Sequence, residues 1–226
     1  MAGNRVFAHD DEVATIYEID YLNGRLIKAF ALGDTPIRDD FEGIAVADDR
    51  LYLVTSAGTI YESREGDDDD RMLFNTYRTG VGRRCEVEGL AFEPSDRTLL
   101  LLCKTPRVDA LKDVVAIFRW SLDTREIAPN GLLTMPLSEF TEPLGGKAFA
   151  PSGLARHPRS GNYIIVAAAQ SAIAEVTPQG RVIDVRPLRK NLHRQVEGIT
   201  ILSDLTLLLA DEGGNRRARL TLYTPR

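Results

Sequence analysis

Apolar and polar residues alternate along this chain in short runs, a pattern that predicts β-strands. No stretch keeps a 3.6-residue apolar period over the length of a typical helix. Four of the runs share a glycine that follows Glu or Ser and precedes Ile or Leu. These motifs are Phe41-Glu42-Gly43-Ile44, Val87-Glu88-Gly89-Leu90, Pro151-Ser152-Gly153-Leu154 and Val196-Glu197-Gly198-Ile199. The pattern therefore predicts an all-β protein.

The motif glycines recur at intervals of 46, 64 and 45 residues, and each motif is followed by a polar turn and a second apolar run. A repeat of about 40–50 residues built from short strands is typical of a β-propeller, with one blade per repeat. The longer middle interval predicts extended loops in the third repeat, over residues 106–113 and 129–147.

The first and last repeats are predicted to be incomplete. Residues 5–30 contain three strand-like runs but no Glu-Gly strand, and the repeat that begins at Glu197 contains only three strands. We therefore predict a single domain over residues 1–226, a five-bladed β-propeller of four-stranded antiparallel blades whose first blade lacks its inner strand. Open blade edges favour self-association.

The Glu residues of the motifs are predicted to surround one mouth of the central channel, because the motif strand is the inner strand of its blade. Antiparallel pairing places Asp211 opposite Glu197, and we expect Glu42, Glu88, Glu197 and Asp211 to form a metal site. Converging carboxylates repel one another unless a cation neutralises them, and oxygen ligands suit Ca²⁺ better than Zn²⁺. The alternative is structural: each Glu caps backbone amides or pairs with a basic residue such as Lys104.

Six further residues are expected to bind a ligand at the same mouth. Ser152 occupies the Glu position of its motif, and two acidic segments follow strands that end there. Two basic residues near the third motif, together with a metal, would bind a phosphate or a carboxylate. The six residues are Asp10, Asp11, Arg84, Lys104, Ser152 and Glu212.

Composition narrows the classes of partner. The net charge of −5 argues against nucleic acid, because such binding depends on Lys and Arg neutralising phosphates. No apolar run approaches the ~20 residues that span a bilayer, and the first residues have no apolar segment typical of a secretion signal. We expect a cytoplasmic protein as the sequence is written, and a periplasmic or exported one if the native chain starts earlier.

The motifs Phe41–Ala45, Val87–Ala91, Ser152–Leu154 and Val196–Ile199, with the segment Leu209–Gly214, resemble those of the SdiA-regulated (YjiK-like) β-propeller family. The resemblance spans essentially the whole chain. It implies five blades, Ca²⁺ binding near the Glu-Gly motifs and kinship with phytase-like and esterase-like propellers. The chain departs from the family in lacking the first inner strand and an export signal.

Three functions fit these observations. The preferred one is a non-catalytic, calcium-stabilised propeller that binds a small ligand or a protein partner at the channel mouth. The second is a hydrolase of phosphate or carboxylic esters that uses Ca²⁺ as a Lewis acid, with Glu88 or Glu197 as base and Lys104 or Arg84 as anion clamp. The third is a protein-interaction scaffold that uses the long loops of the third blade. Fold alone does not choose among them.

Overall fold

The computed structural model describes residues 5–213 and 217–225, which form five sheets. Consecutive strands pair in antiparallel fashion within each sheet, and the sheets are arranged as the five blades of a β-propeller. The predicted fold is therefore confirmed. Gly214, the last residue of the C-terminal family-like segment, lies outside the described residues.

The blades are numbered from the N-terminus, and the strands of each are given in their order across the sheet. Blade 1 consists of β1 (Val6–His9), β2 (Thr15–Asp20), β3 (Arg25–Leu32) and β7 (Arg71–Met72). Blade 2 consists of β4 (Phe41–Ala47), β5 (Arg50–Thr55), β6 (Thr59–Arg64) and β8 (Phe74–Arg78). Blade 3 consists of β9 (Cys85–Glu93), β10 (Thr98–Pro106), β11 (Val114–Ser121) and β12 (Ile127–Pro136).

Blade 4 consists of β13 (Gly153–Arg156), β14 (Tyr163–Ala167), β15 (Ala172–Val176) and β16 (Val182–Pro187). Blade 5 consists of β17 (Val196–Ile201), β18 (Leu207–Asp211) and β19 (Arg219–Tyr223). The helical segments are α1 (Ser138–Thr141) and 3-10 turns at Val81–Arg83, Asp109–Leu111 and Glu142–Leu144. None of the helices in the described part of the chain has the length and apolarity needed to cross a membrane.

The motif glycines let the inner strands approach one another around the axis. A Cβ atom on Gly43 would lie 2.7 Å from the backbone nitrogen of Leu90, and one on Gly89 would lie 3.2 Å from that of Leu154. A Cβ atom on Gly153 would lie closer still to its nearest neighbour, the carbonyl oxygen of Glu197. Each of these three glycines therefore faces the motif of the next blade.

Gly198 differs from the other motif glycines in its surroundings. Among the described residues, the three atoms nearest to an added Cβ all belong to Ala210 of the same blade, so no described strand of blade 1 crowds this glycine. The ring closes instead through side chains, because Val6 of β1 packs in one apolar cluster with Leu202 and Leu208 of blade 5.

Two boundaries differ from those that the sequence predicts. The run Met72–Phe74 was expected to be the fourth strand of blade 2, but the chain divides there: β7 pairs in parallel with β3 of blade 1, and β8 completes blade 2. Blade 1 thus reaches four strands only through β7. In blade 3, β12 continues through Pro129, so the second long loop begins after Pro136.

Candidate functional site

At the channel end of the inner strands, each motif Glu lies on a β-bulge. In blade 2, Phe41 pairs with Thr55 and the ladder resumes two residues later, so β4 has one unpaired residue, Glu42. Glu88 and Glu197 occupy the same bulged position in blades 3 and 5. A bulge changes the direction of the extra side chain relative to the regular alternation of the strand. The three carboxylates therefore leave the faces of their blades.

The bulges refine the register expected from the sequence. Equal counting from the turns places Glu42 near Thr55, Glu88 near Cys103 and Glu197 near Asp211, to within about two residues. In the structure each of these partners pairs with the residue before the Glu. The observed pairs are Phe41 with Thr55, Val87 with Cys103, and Val196 with Asp211.

Glu42, Glu88 and Glu197 converge with Lys104, and we call these four residues the mouth cluster. Desolvation by the surrounding protein raises the pKa of Glu42 and of Glu197, the charge of Glu88 raises each further, and Lys104 opposes the rise. Glu197 reaches solvent, yet the protein atoms crowding the mouth still raise its pKa. Because charge interactions weaken with distance, these effects place the carboxylates of blades 2, 3 and 5 in one site.

Glu88 and Lys104 form the centre of the cluster. Lys104 Nζ donates to Glu88 Oε1 over 2.5 Å, and the Glu88 side chain is buried. Burial raises the pKa of Glu88 although Lys104 counteracts it. Burial would lower the pKa of Lys104, but the hydrogen bond from Lys104 to Glu88 and the charges of Glu42 and Glu86 outweigh burial and raise it. One ammonium group thus serves several carboxylates.

Glu42 carries the largest perturbation in the cluster. Burial, the charge of Glu88 and the charge of Asp40 together raise the pKa of Glu42 to about 8, against the 4.5 of a free Glu. Burial is the largest of these effects, and the neighbouring carboxylates add to it more than Lys104 offsets. The charged form of Glu42 is therefore disfavoured at the mouth.

We expect Glu42→Gln to stabilise the protein in a pH-dependent way. Between pH 4.5, the ordinary pKa, and about 8, the folded state holds a proton that the unfolded state has released. The folded state is therefore increasingly penalised as pH rises through this window. Glutamine cannot ionise, so Glu42→Gln should raise the free energy of unfolding by about 1–2 kcal/mol at pH 8, after allowance for solvent screening, and hardly at pH 4.5.

Thermal unfolding in EGTA at several pH values tests this expectation. About 1–2 kcal/mol corresponds to a rise in Tm of about 3–6 °C for a chain of this length. Glu139→Gln, a change of the same charge at an exposed position on α1, is the matched control and should show no such trend. An equal effect of Glu42→Gln at pH 4.5 and pH 8 would contradict the assignment.

Asp211 belongs to a different set of contacts. Its Oδ1 accepts from the backbone N–H of Gln195 over 3.1 Å, and its Oδ2 lies 2.8 Å from Nδ1 of His193. The other ring nitrogen of the buried His193 lies 2.6 Å from the hydroxyl of Tyr223. Both carboxylate oxygens are thus engaged in holding blade 5 together, and a metal role for Asp211 stays a prediction.

Glu212 acts on the mouth cluster, whereas the contacts of Asp10 and Asp11 lie within the β1–β2 loop and at the start of β4. Glu212 accepts from the side-chain amide of Gln195 and its charge raises the pKa of Glu197, after the larger effect of burial. Asp10 Oδ1 accepts from two backbone N–H groups of its own turn. The carbonyl of Asp11 accepts from the N–H of Phe41 over 2.7 Å, which ties the β1–β2 loop to the start of β4.

Ser152 and Arg84 are held by protein groups. The Ser152 hydroxyl donates to the carbonyl of Val196 over 2.7 Å and accepts from the N–H of Ala168 over 2.9 Å, so it joins blades 4 and 5. The guanidinium of Arg84 lies 4.8 Å from the ring centroid of Phe118. Lys104 is therefore the one member of the predicted basic pair that the structure brings into the mouth cluster.

Sequence reasoning missed the residues that surround the cluster. Asp40, Glu86 and Gln195 each stand two positions before a motif Glu, and all three act on it: Asp40 and Glu86 raise the pKa of a Glu by charge, and Gln195 donates to Glu197. A polar residue two positions before the Glu recurs in three repeats, and this recurrence was a usable signal because equivalent positions of a repeat fold alike.

The described residues contain no preformed set of metal ligands. Across residues 5–213 and 217–225, no group of three or more His, Cys, Asp or Glu side chains has the spacing that would hold a metal ion. The carboxylates share a region of negative potential at the mouth, with Lys104 between them. Oxygen donors of this kind fit Ca²⁺ or an organic ammonium group rather than a soft metal.

No protein-family model matches the chain, and no curated protein sequence matches it. Solved structures do match. The glutaminyl cyclase of Myxococcus xanthus is 14% identical over 92% of this chain and 83% of its own, with a TM-score of 0.58. A protein of unknown function from Bacteroides caccae is 12% identical over 97% of this chain and 73% of its own, with a TM-score of 0.54.

A second protein of unknown function, from Bacteroides thetaiotaomicron, is 15% identical over 96% of this chain and 52% of its own, with a TM-score of 0.58. At identities this low, the likeness shows the fold alone. The resemblance to SdiA-regulated propellers stays a prediction, and what is established is that the chain has the architecture of β-propeller proteins.

Proposed function

We propose that this protein is a non-catalytic propeller that binds a positively charged ligand at the mouth of its channel, either Ca²⁺ or the ammonium group of a small molecule. The observation that carries the proposal is geometric: Glu42, Glu88 and Glu197 occupy the same bulged position on three inner strands, and Lys104 pairs with the buried Glu88. The raised pKa of each of the three Glu residues agrees with it. Burial and repulsion among the carboxylates disfavour their charged forms, and a bound cation offsets both effects.

Thermal unfolding with Ca²⁺, with putrescine or with EGTA tests the proposal. A ligand present at about 100 times its Kd stabilises the folded state by about 2.7 kcal/mol, which is about 5–10 °C in Tm for a chain of this size. The variants Glu42→Gln, Glu88→Gln and Glu197→Gln should lose most of this rise. Glu139→Gln, which changes the same charge on α1, should keep it.

Comparing the Tm in Ca²⁺ with the Tm in putrescine distinguishes the two kinds of cation. A rise with Ca²⁺ alone identifies a calcium-stabilised propeller, and a rise with putrescine alone identifies an amine-binding one. No rise with either cation, or an equal rise in the three mouth variants and the parent, contradicts the proposal.

An enzymatic function is the second candidate, and one observation favours it. The pKa of Glu42 is raised to about 8, in the range of a group that exchanges protons near neutral pH. Binding of phosphate or carboxylate esters has less support, because Lys104 is paired with Glu88 and Arg84 stacks on Phe118. A panel of phosphate esters, carboxylic esters and peptides with an N-terminal glutamine tests it. Turnover that Glu42→Gln abolishes would establish catalysis; no turnover on the panel would remove these reactions.

A further inference from the structure

Blade 5 contains three strands in the described ranges, in the order β17, β18 and β19. No described strand pairs with the outer side of β19. Residues 217–225 make no backbone hydrogen bond to the other described residues apart from the ladder with β18. Unpaired N–H and C=O groups along a strand are a template for another strand.

Burial along strands that have an outer neighbour differs from burial along β19. In blade 4, β16 pairs along β15, and the side chains of Ala172, Ala174 and Val176 on β15 are buried. In blade 1, β7 pairs with only the end of β3, and only that end of β3 is buried. No residue of β19 is buried. Burial of a strand therefore follows pairing on its outer side, and within the described residues β19 has no such partner.

We propose that β19 pairs in antiparallel fashion with β19 of a second copy of this chain, giving one six-stranded sheet across two propellers. The sequence of the strand, Arg219-Leu220-Thr221-Leu222-Tyr223, is self-complementary about Thr221. In that register Leu220 faces Leu222 of the other copy, and Thr221 faces its own equivalent on the two-fold axis. This inference concerns the blade edge and is independent of the function proposed for the channel mouth.

The charges along β19 are compatible with pairing to a second copy of the strand. Arg219 would lie opposite Tyr223 of the second copy, an arrangement that allows a cation–π contact and brings no like charges face to face. The hydroxyl of Tyr223 is already fixed by His193 at 2.6 Å, so this end of the strand is ordered before association. The outer strands β12 and β16, in contrast, contain prolines, which discourage strand addition.

The area available predicts a weak dimer. Two five-residue strands bury less than the ~1,200–2,000 Å² of a standard stable interface. We therefore expect reversible association that depends on concentration. Sedimentation velocity from about 1 to about 500 µM should show the mass rising from 25.0 kDa toward twice that value. A mass that stays at 25.0 kDa over the whole range overturns the proposal.

A charge-swap experiment locates the contact. Thr221→Lys and Thr221→Glu each place like charges face to face on the two-fold axis, so each variant alone should stay monomeric. An equimolar mixture of the two should associate at least as strongly as the parent. Association of Thr221→Lys alone at the parent's strength, or a mixture that stays monomeric while the parent dimerises, overturns the proposal. Unchanged Tm of each variant confirms folding.

Amide hydrogen exchange on the parent protein tests the same contact without a substitution. The amides of residues 219–223 that point away from β18 should exchange more slowly at high than at low concentration. Slowing confined to another edge, such as β8, would mean that a different surface associates and would overturn the assignment to β19.

Discussion

Gly153→Ala is expected to lower the free energy of unfolding by about 2–3 kcal/mol, or Tm by about 5–10 °C. A Cβ at this position would overlap the carbonyl oxygen of Glu197 and approach Cγ2 of Val166 to 2.9 Å. Both neighbours belong to strands near the axis, and the backbone oxygen cannot move without shifting β17. The inner strands of blades 4 and 5 must therefore separate.

A graded series of variants provides the control. Gly43, Gly89 and Gly153 all lack a positive φ, so alanine introduces no backbone strain at any of them and only the steric contact differs. Gly43→Ala, which meets Leu90 at 2.7 Å, should cost less than Gly153→Ala. Gly89→Ala, with its nearest contact at 3.2 Å, should be close to neutral, because alanine also restricts the unfolded chain. Urea unfolding gives the order, and equal costs at the three positions would contradict it.

Lys104→Met is expected to destabilise the protein by about 2–3 kcal/mol at pH 8, because it leaves the buried carboxylate of Glu88 without its ammonium partner. The pKa of Glu88 is already raised above its ordinary value by burial and should rise further. The folded state then holds a proton that the unfolded state releases, so the loss grows as pH rises above the ordinary pKa of Glu and is small near pH 4.

Two variants test this cause. Lys104→Met with Glu88→Gln removes both charges and should recover most of the stability at pH 8. Lys112→Met, at an exposed lysine, should change the free energy of unfolding by less than about 0.5 kcal/mol at any pH. Guanidinium titrations at pH 4 and pH 8 measure both. A loss for Lys104→Met that is equal at the two pH values would indicate lost packing of the lysine stem.

The blades follow from local patterns in the sequence. Apolar alternation and short polar turns recur with the motif glycines, and these features predicted five units and the inner strands. The close approach of Gly43, Gly89 and Gly153 to the next blade was seen only in the structure. The open last blade was visible for the same reason, because a repeat can be compared with its neighbours. The acidic mouth followed from repeating one residue type at one position of the strand.

The partners of individual side chains were decided by the tertiary structure. Ser152 stands in the Glu position of its motif, yet its hydroxyl joins two blades, and Asp211 is held by His193 and the Gln195 backbone. The contact between His193 and Asp211 joins residues 18 positions apart, and that between Ser152 and Val196 joins residues 44 positions apart. Such partners depend on how distant segments come together. The repeating strands, and the row of Glu residues on the inner strands, could be predicted from the sequence because both recur locally. The bulges that direct Glu42, Glu88 and Glu197 could not, and neither could the central place of Lys104. Both depend on pairing between strands that the folded ring brings together.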